Sequence, residues 1–310
     1  MSEWAAVFPG QGSQVVGMGK DLAEAYAVVR ETFAEADEVL GFPLSQLCFA
    51  GPEDELTRTV NTQPALLTVS VAIYRLLARE GFRPVAACGH SLGEYSALVA
   101  AGALEFADAL RTVRLRGKLM EEAVAPGVGT MAAILGLSDE DVVKICREVG
   151  GVEPATYNAP GQVVIAGLVE AVERAMELAK ARGARRAQRL NVSGPFHSSL
   201  LADAGRRLAE WLADVPVKPP AIPVWANVSA TATSDPEQIR RNLAEQVSAP
   251  VRWVECVHAM RQWGVASFVE VGPGRVLSGL IKRIDRDAVV ENVDSAATFE
   301  RFVREITQAG

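Results

Sequence analysis

A chain of 310 residues that is 49% apolar and 22% charged can bury a sizeable core, in one large domain or two modest ones. A net charge of −7 argues against a nucleic-acid surface, and the cysteines (Cys48, Cys88, Cys146, Cys256) lack the CxxC spacing of a disulfide framework or zinc site. No basic leader with a long apolar stretch opens the chain, and no apolar run approaches the ~20 residues that cross a bilayer, so a cytoplasmic protein is expected.

Residues 5–8 (AAVF) run into Pro9-Gly10, the pattern of a buried strand closed by a turn. In the loop that follows, Gly10 and Gly12 suggest a dinucleotide fingerprint, but Val15 occupies the place of its third glycine. Helical periodicity covers 22–40 and 63–80. The apolar run 84–88 then leads into Gly89-His90-Ser91-Leu92-Gly93, and a small-residue helix is predicted over 94–101. A serine between glycines at a strand-to-helix junction is the pattern of a nucleophile elbow: the glycines remove the Cβ atoms that would collide, and the hydroxyl stands at the tip. The alternative is a tight turn with a capping serine. Strand followed by helix, repeated, predicts a mainly parallel sheet covered on both faces.

The helix predicted over 105–124 places Ala109, Val113, Arg116 and Met120 on one face, apolar except for the arginine. A buried arginine needs an anion. An internal salt bridge, a snorkelling side chain and a bound substrate carboxylate all meet that need, and the pattern alone leaves them open.

Composition changes at Ala125-Pro126-Gly127. Strands at 130–137, 152–157, 162–167 and 185–191, with helices at 138–148 and 169–182, give the order βαββαβ of a ferredoxin-like unit. Residues 126–194 are therefore expected to form a small insert in a core made of 1–125 and 195–310. After it, Ser193-Gly194-Pro195 is expected to open a helix with His197 in its first turn. A strand at 224–227, helices at 236–246 and 251–264, a strand at 267–271 and a helix at 275–283 complete the reading.

A serine nucleophile needs a base, and the histidines are His90, His197 and His258. His90 sits in the elbow and is expected to point away from Ser91. His258 lies in a helix, where a structural or solvated role fits. His197 is the candidate base: a helix dipole at its position would keep the imidazole neutral, and it follows Ser91 in the order of an α/β-hydrolase. No acid between 91 and 197 stands in an obvious strand-end loop, so a carbonyl or amide is expected to orient the ring.

Seven segments now carry a resemblance: FPGQGSQ (8–14), TQPALL (62–67), GHSLGE (89–94), RLRGKLM (114–120), YNAPGQVVIAG (157–167), GPFHS (194–198) and EVGPG (270–274). In this order, over nearly the whole length, they resemble the malonyl-CoA:acyl carrier protein transacylases of fatty acid synthesis. The resemblance implies an α/β-hydrolase-like core with a ferredoxin-like insert. It implies that Ser91 carries the acyl group and His197 is its base. It further implies that Gln11 and the Leu92 N–H form an oxyanion hole, that Arg116 holds the malonyl carboxylate, and that the Gln246 carbonyl orients His197. Gln63, Met120, Asn158 and Phe196 would line the pocket. The implied partners are malonyl-CoA and acyl carrier protein, with no nucleic acid, membrane, metal or bound cofactor: the coenzyme A thioester is substrate, and phosphopantetheine belongs to the carrier. Carriers are acidic, which makes Arg182, Arg185, Arg186, Arg189, Lys282 and Arg283 docking candidates. A discrete acyltransferase of polyketide synthesis and a serine esterase or thioesterase are the rival readings.

Overall fold

The first apolar run forms the strand β1 (Trp4–Phe8), buried along its whole length. The run before the serine forms β2 (Ala86–Gly89), also wholly buried, and pairs in parallel with β1 from Ala5 opposite Ala86 to Phe8 opposite Gly89. The computed structural model describes residues 3–308. Between these strands the predicted helix 22–40 is two helices, Lys20–Ala25 and Ala27–Leu40, because Tyr26 is extended at φ −123°; its ring packs edge-on against Phe299 at 5.1 Å. The next long helix, Thr59–Arg79, begins a turn earlier than predicted and carries Pro64 inside it. The elbow helix, Gly93–Ala100, and the helix Phe106–Glu122 follow. The latter packs closely on Thr59–Arg79 because Gly117 has no side chain: a Cβ there would lie 2.7 Å from the Thr59 carbonyl oxygen.

The middle of the chain builds a second, antiparallel sheet from β3 (Gly129–Leu135), β4 (Val152–Ala159), β5 (Gln162–Leu168) and β6 (Arg186–Arg189), in the order β4-β5-β3-β6. With the helices Asp139–Val149 and Val169–Ala181 between strands, this is the βαββαβ arrangement with its own apolar cluster around Ile134, Val142, Ile165 and Val172. Ser138 caps the first of these helices by accepting from the Asp141 N–H at 3.1 Å, as expected of serine at that position. Only Pro160-Gly161 forms the turn predicted over 158–161; Asn158 and Ala159 belong to β4, which carries Asn158 toward the first sheet.

The chain then completes the first sheet with β7 (Val224–Trp225), β8 (Ala232–Thr233), β9 (Ser267–Val271) and β10 (Val289–Val293), in the order β10-β9-β1-β2-β7-β8. All its pairings are parallel except β7 with β8. β10 and the helix Ala296–Gln308 escape the sequence reading because β10 is an edge strand, half exposed and interrupted by Glu291 and Asn292. The protein is thus mixed α/β, with a mostly parallel sheet and a separate antiparallel one. The antiparallel sheet is tied to the rest of the chain where Thr156 of β4 bridges Val251, just before the helix Trp253–Trp263, in parallel. Among the described residues no helix is long and apolar enough to cross a membrane.

Candidate active site

The loops after β1 and β2 emerge side by side at the carboxyl ends of the central strands, where open parallel sheets place their ligands. The turn after β2 is as tight as its glycines require. A Cβ on Gly89 would lie 1.9 Å from the carbonyl of Gly93, and one on Gly93 would lie 2.0 Å from the Phe8 carbonyl oxygen. Ser91 takes a left-handed φ of 52°, an unfavourable conformation for a non-glycine residue. It is held there by its own N–H, which donates to Asn227 Oδ1 at 2.7 Å, while Asn227 Nδ2 donates to the Gly89 carbonyl at 2.7 Å.

Ser91 Oγ lies 2.8 Å from His197 Nε2, and His197 Nδ1 lies 2.7 Å from the backbone carbonyl of Gln246. A carbonyl only accepts, so Nδ1 carries the proton and the unprotonated Nε2 accepts from the serine hydroxyl. The ring does not stand in the first turn of a helix. His197 has φ 60°, and the α-helix begins only at Ala202, after a short 3-10 turn over Ser199–Leu201. A left-handed residue cannot continue a right-handed helix, and this kink is what delivers the ring to Ser91. Its neutrality therefore has a cause other than the predicted helix dipole. Burial first, and then the nearby Arg116 charge, push the His197 pKa down to about 3.

Arg116 is 1% exposed. It donates through Nη1 to Gln63 Oε1 at 2.9 Å and through Nη2 to Gln246 Oε1 at 2.8 Å and to Ser91 Oγ at 3.1 Å. Its Nε is buried without a hydrogen-bond partner, and no carboxylate among the described residues lies within ion-pair distance of it. The salt-bridge and snorkelling alternatives both drop away: the cation is buried, bonded to neutral oxygens and directed at the serine. An arrangement of this kind attracts a small anion.

A cavity of about 160 Å³ lies over Ser91, between the two sheets. Gln11, Leu92, Arg116, Met120, Asn158 and Phe196 line it together with His197. Gln63 does not: it stands behind Arg116, with Nε2 3.4 Å from Met120 Sδ. His90 also lines this cavity, its Nε2 directed to Asn158 Oδ1 at 2.8 Å, while His258 is exposed on its helix. Gln11 is braced across the cavity mouth, donating from Nε2 to Thr59 Oγ1 at 3.1 Å, and Thr59 Oγ1 is 3.2 Å from Ser193 Oγ. Gln11 and Val192 also line a groove of about 1250 Å³ that runs past Arg58 and Arg189. Sequence reasoning missed Asn227, Thr59 and Ser193. Each is a small polar residue in a loop or at an element end, and nothing in its spacing marks which distant loop it will meet.

The strained serine has an imidazole on its hydroxyl and a buried cation beside both, an arrangement suited to acyl transfer through a serine ester. The chain belongs to the acyl transferase domain family, whose model matches residues 6–309, and within it to the malonyl-CoA:acyl carrier protein transacylases. It is 51% identical over 288 residues to the malonyl CoA-acyl carrier protein transacylase of Escherichia coli (strain K12), covering 92% of this chain and 93% of the relative. It is 47% identical over 312 residues to the enzyme of that name from Bacillus subtilis (strain 168), covering 99% and 98%. Among solved structures, an acyl carrier protein S-malonyltransferase from Vibrio cholerae superposes with a TM-score of 0.95 at 50% identity, covering 97% of this chain and 100% of that one. A malonyl-transacylase in complex with its type II PKS acyl-carrier protein superposes with a TM-score of 0.96 at 48% identity, covering 98% and 100%.

Proposed function

We propose that the protein moves a malonyl group from coenzyme A to the phosphopantetheine thiol of acyl carrier protein, supplying fatty acid synthesis, through an ester on Ser91. The observation that carries this reading is Arg116: a fully buried cation whose Nη2 lies 3.1 Å from the serine hydroxyl and whose Nε has no hydrogen-bond partner. The malonyl carboxylate is the anion it lacks.

The steps we infer are these. Ser91 Oγ attacks the thioester carbonyl as its proton passes to His197 Nε2. The oxygen that becomes negative faces the Leu92 N–H, at the start of the elbow helix, and Gln11, an arrangement of donors that lowers such barriers. His197 returns the proton to the coenzyme A sulfur, which leaves. A carrier thiol enters along the Gln11 groove, gives its proton to His197 and attacks the ester, and Ser91 Oγ departs with that proton. The Gln246 carbonyl holds the ring where an ordinary triad uses a carboxylate. Met120, Asn158 and Phe196 bound the acyl group, and Gln63 serves by fixing Arg116. No metal or bound cofactor takes part in these steps. We assign the chemistry to a core of residues 1–125 and 195–310, the insert 126–194 closing the cavity from above, and place the enzyme in the cytoplasm.

Brief mixing with malonyl-CoA, followed by digestion and mass spectrometry, tests the reading. One malonyl adduct is expected, on the peptide holding Ser91, with fast loss on adding carrier and slow loss in water; the Ser91→Ala variant forms none. An adduct elsewhere, or rapid hydrolysis without carrier, contradicts the proposal.

The carrier is expected to dock on the insert. Arg182 is paired with Glu148 and Arg189 with Glu173, Arg283 bonds Gln162, and Lys282 donates to the Ala288 carbonyl. Arg185 and Arg186 are exposed and have no ion-pair partner among the described residues, which leaves them free for an acidic surface. Reversing both charges to glutamate is expected to raise the KM for carrier protein roughly tenfold, since rim charges contribute up to about 1 kcal/mol each. The rate of serine acylation from malonyl-CoA should not change; equal losses in both assays would mean misfolding.

A further inference from the structure

Glu94 lies three residues beyond the serine, and the proposed steps leave it unused. It is 3% exposed. Its Oε2 accepts from Gln246 Nε2 at 2.6 Å and from the Asn227 N–H at 3.0 Å. Gln246 is the centre of the arrangement. Its Oε1 accepts from Arg116, its Nε2 donates to Glu94 and to the Ser91 carbonyl at 3.1 Å, and its own carbonyl holds His197. One amide thus connects the buried cation to a buried carboxylate that does not touch it.

We propose that Glu94 is the resident counter-charge of Arg116, relayed through the Gln246 amide, and that its charge sets how strongly the site prefers carboxylated acyl groups over neutral ones. This rests on the reading of Arg116 as the malonyl-carboxylate site. When Glu94 is ionised, the buried pair is neutral and an incoming carboxylate leaves an excess negative charge in a dry site. When Glu94 is protonated, Arg116 is uncompensated and the malonyl carboxylate completes the pair. Buried charges are costly unless balanced, so the second state favours malonyl and leaves acetyl untouched.

The groups facing Glu94 leave it as the one in this network that titrates near neutrality. Burial raises its pKa to about 7 against the opposing pull of its hydrogen bonds and of Arg116. His197, beyond Gln246, is pushed down to about 3. His90 is lowered by burial. Cys88, behind the elbow, and Tyr95, beside Glu94, are raised by burial, and Arg116 stays cationic.

The experiment compares kcat/KM for malonyl-CoA and acetyl-CoA, with holo carrier protein as acceptor, from about pH 6 to about pH 8.5, a window that spans the Glu94 titration. The phosphates of coenzyme A are common to both donors and cancel in the ratio. In the wild type, the malonyl-to-acetyl ratio is expected to fall about tenfold as the pH rises through neutrality, the size of a one-unit differential interaction. Glu94→Gln keeps an oxygen that can accept from Gln246 and Asn227 but cannot ionise, so its ratio should stay flat at the low-pH wild-type value. Glu94→Asp, which retains a charge, should restore the pH step.

A flat wild-type ratio overturns the proposal without any variant, so it stays testable should Glu94→Gln fail to fold. A step that persists in Glu94→Gln also overturns it. If the reading of the site itself is wrong, Ser91→Ala still forms an adduct or Arg116→Ala keeps malonyl transfer. If only the role of Glu94 is wrong, those two variants behave as expected and the pH step alone is missing.

Discussion

Arg116→Ala is expected to lower kcat/KM for malonyl-CoA by roughly 30- to 5,000-fold while acetyl-CoA transfer is kept or raised. Truncating one partner of a buried charge pair costs about 2–5 kcal/mol, and each 1.36 kcal/mol is a factor of ten. The loss should fall on the malonyl group alone, because only its carboxylate needs the cation. Acetyl transfer also serves as the control for folding, since a collapsed site would lose both substrates. A second consequence follows from the same charge. Arg116 helps hold the His197 pKa down, so its removal should move the acid limb of acetyl transfer upward in pH relative to wild type. Unchanged malonyl kinetics in this variant would refute the carboxylate assignment. Equal loss with both donors would assign Arg116 to the fold or to the serine instead.

His197→Ala is expected to slow transfer of both acyl groups by about 10²–10⁴-fold, the usual contribution of a positioned base. The effect should appear in kcat, with little change in the malonyl-to-acetyl ratio, since the ring touches the serine and not the carboxylate site. Combined with Ser91→Ala it should add almost nothing, because residues that act as a unit are not additive. The pH dependence of the wild type carries its own test. The folded pKa of His197 is depressed, so the ring is a free base at neutrality and becomes protonated only as the pH falls toward about 3. Acetyl transfer, followed from about pH 5 upward, should show no acid limb at the ordinary histidine value of roughly 6.5. A limb there would mean that the ring is solvated during turnover.

How His197 comes to be neutral shows where sequence reasoning reaches and where it stops. The residue could be selected from the sequence because histidines are few and its place after Ser91 fits hydrolase order. The physical cause could not: a helix dipole was the expectation, while the structure supplies a left-handed kink, full burial and a guanidinium 53 residues from its partner Gln63. Arg116 divides in the same way. Helical periodicity placed it on an apolar face, but whether a carboxylate of the protein would meet it there depended on segments far away in the chain.

Local pattern by itself determined the elbow, the strand-and-helix alternation of the core, the βαββαβ order of the insert and the apolar face that carries Arg116. These can be read from short stretches of chain: a glycine such as Gly89, whose Cβ would strike Gly93 four residues on, apolar side chains at helical or strand period, a serine that caps its own helix. Tertiary structure alone decided which distant groups converge. It brought Asn227 to the strained serine, Gln246 among Arg116, Glu94, Ser91 and His197, Thr59 between Gln11 and Ser193, and Glu94 into a dry site shared with a cation. Such polar groups carry no periodic signal, because what each will bond is fixed by the closing of the two sheets over one another and not by its neighbours in the chain.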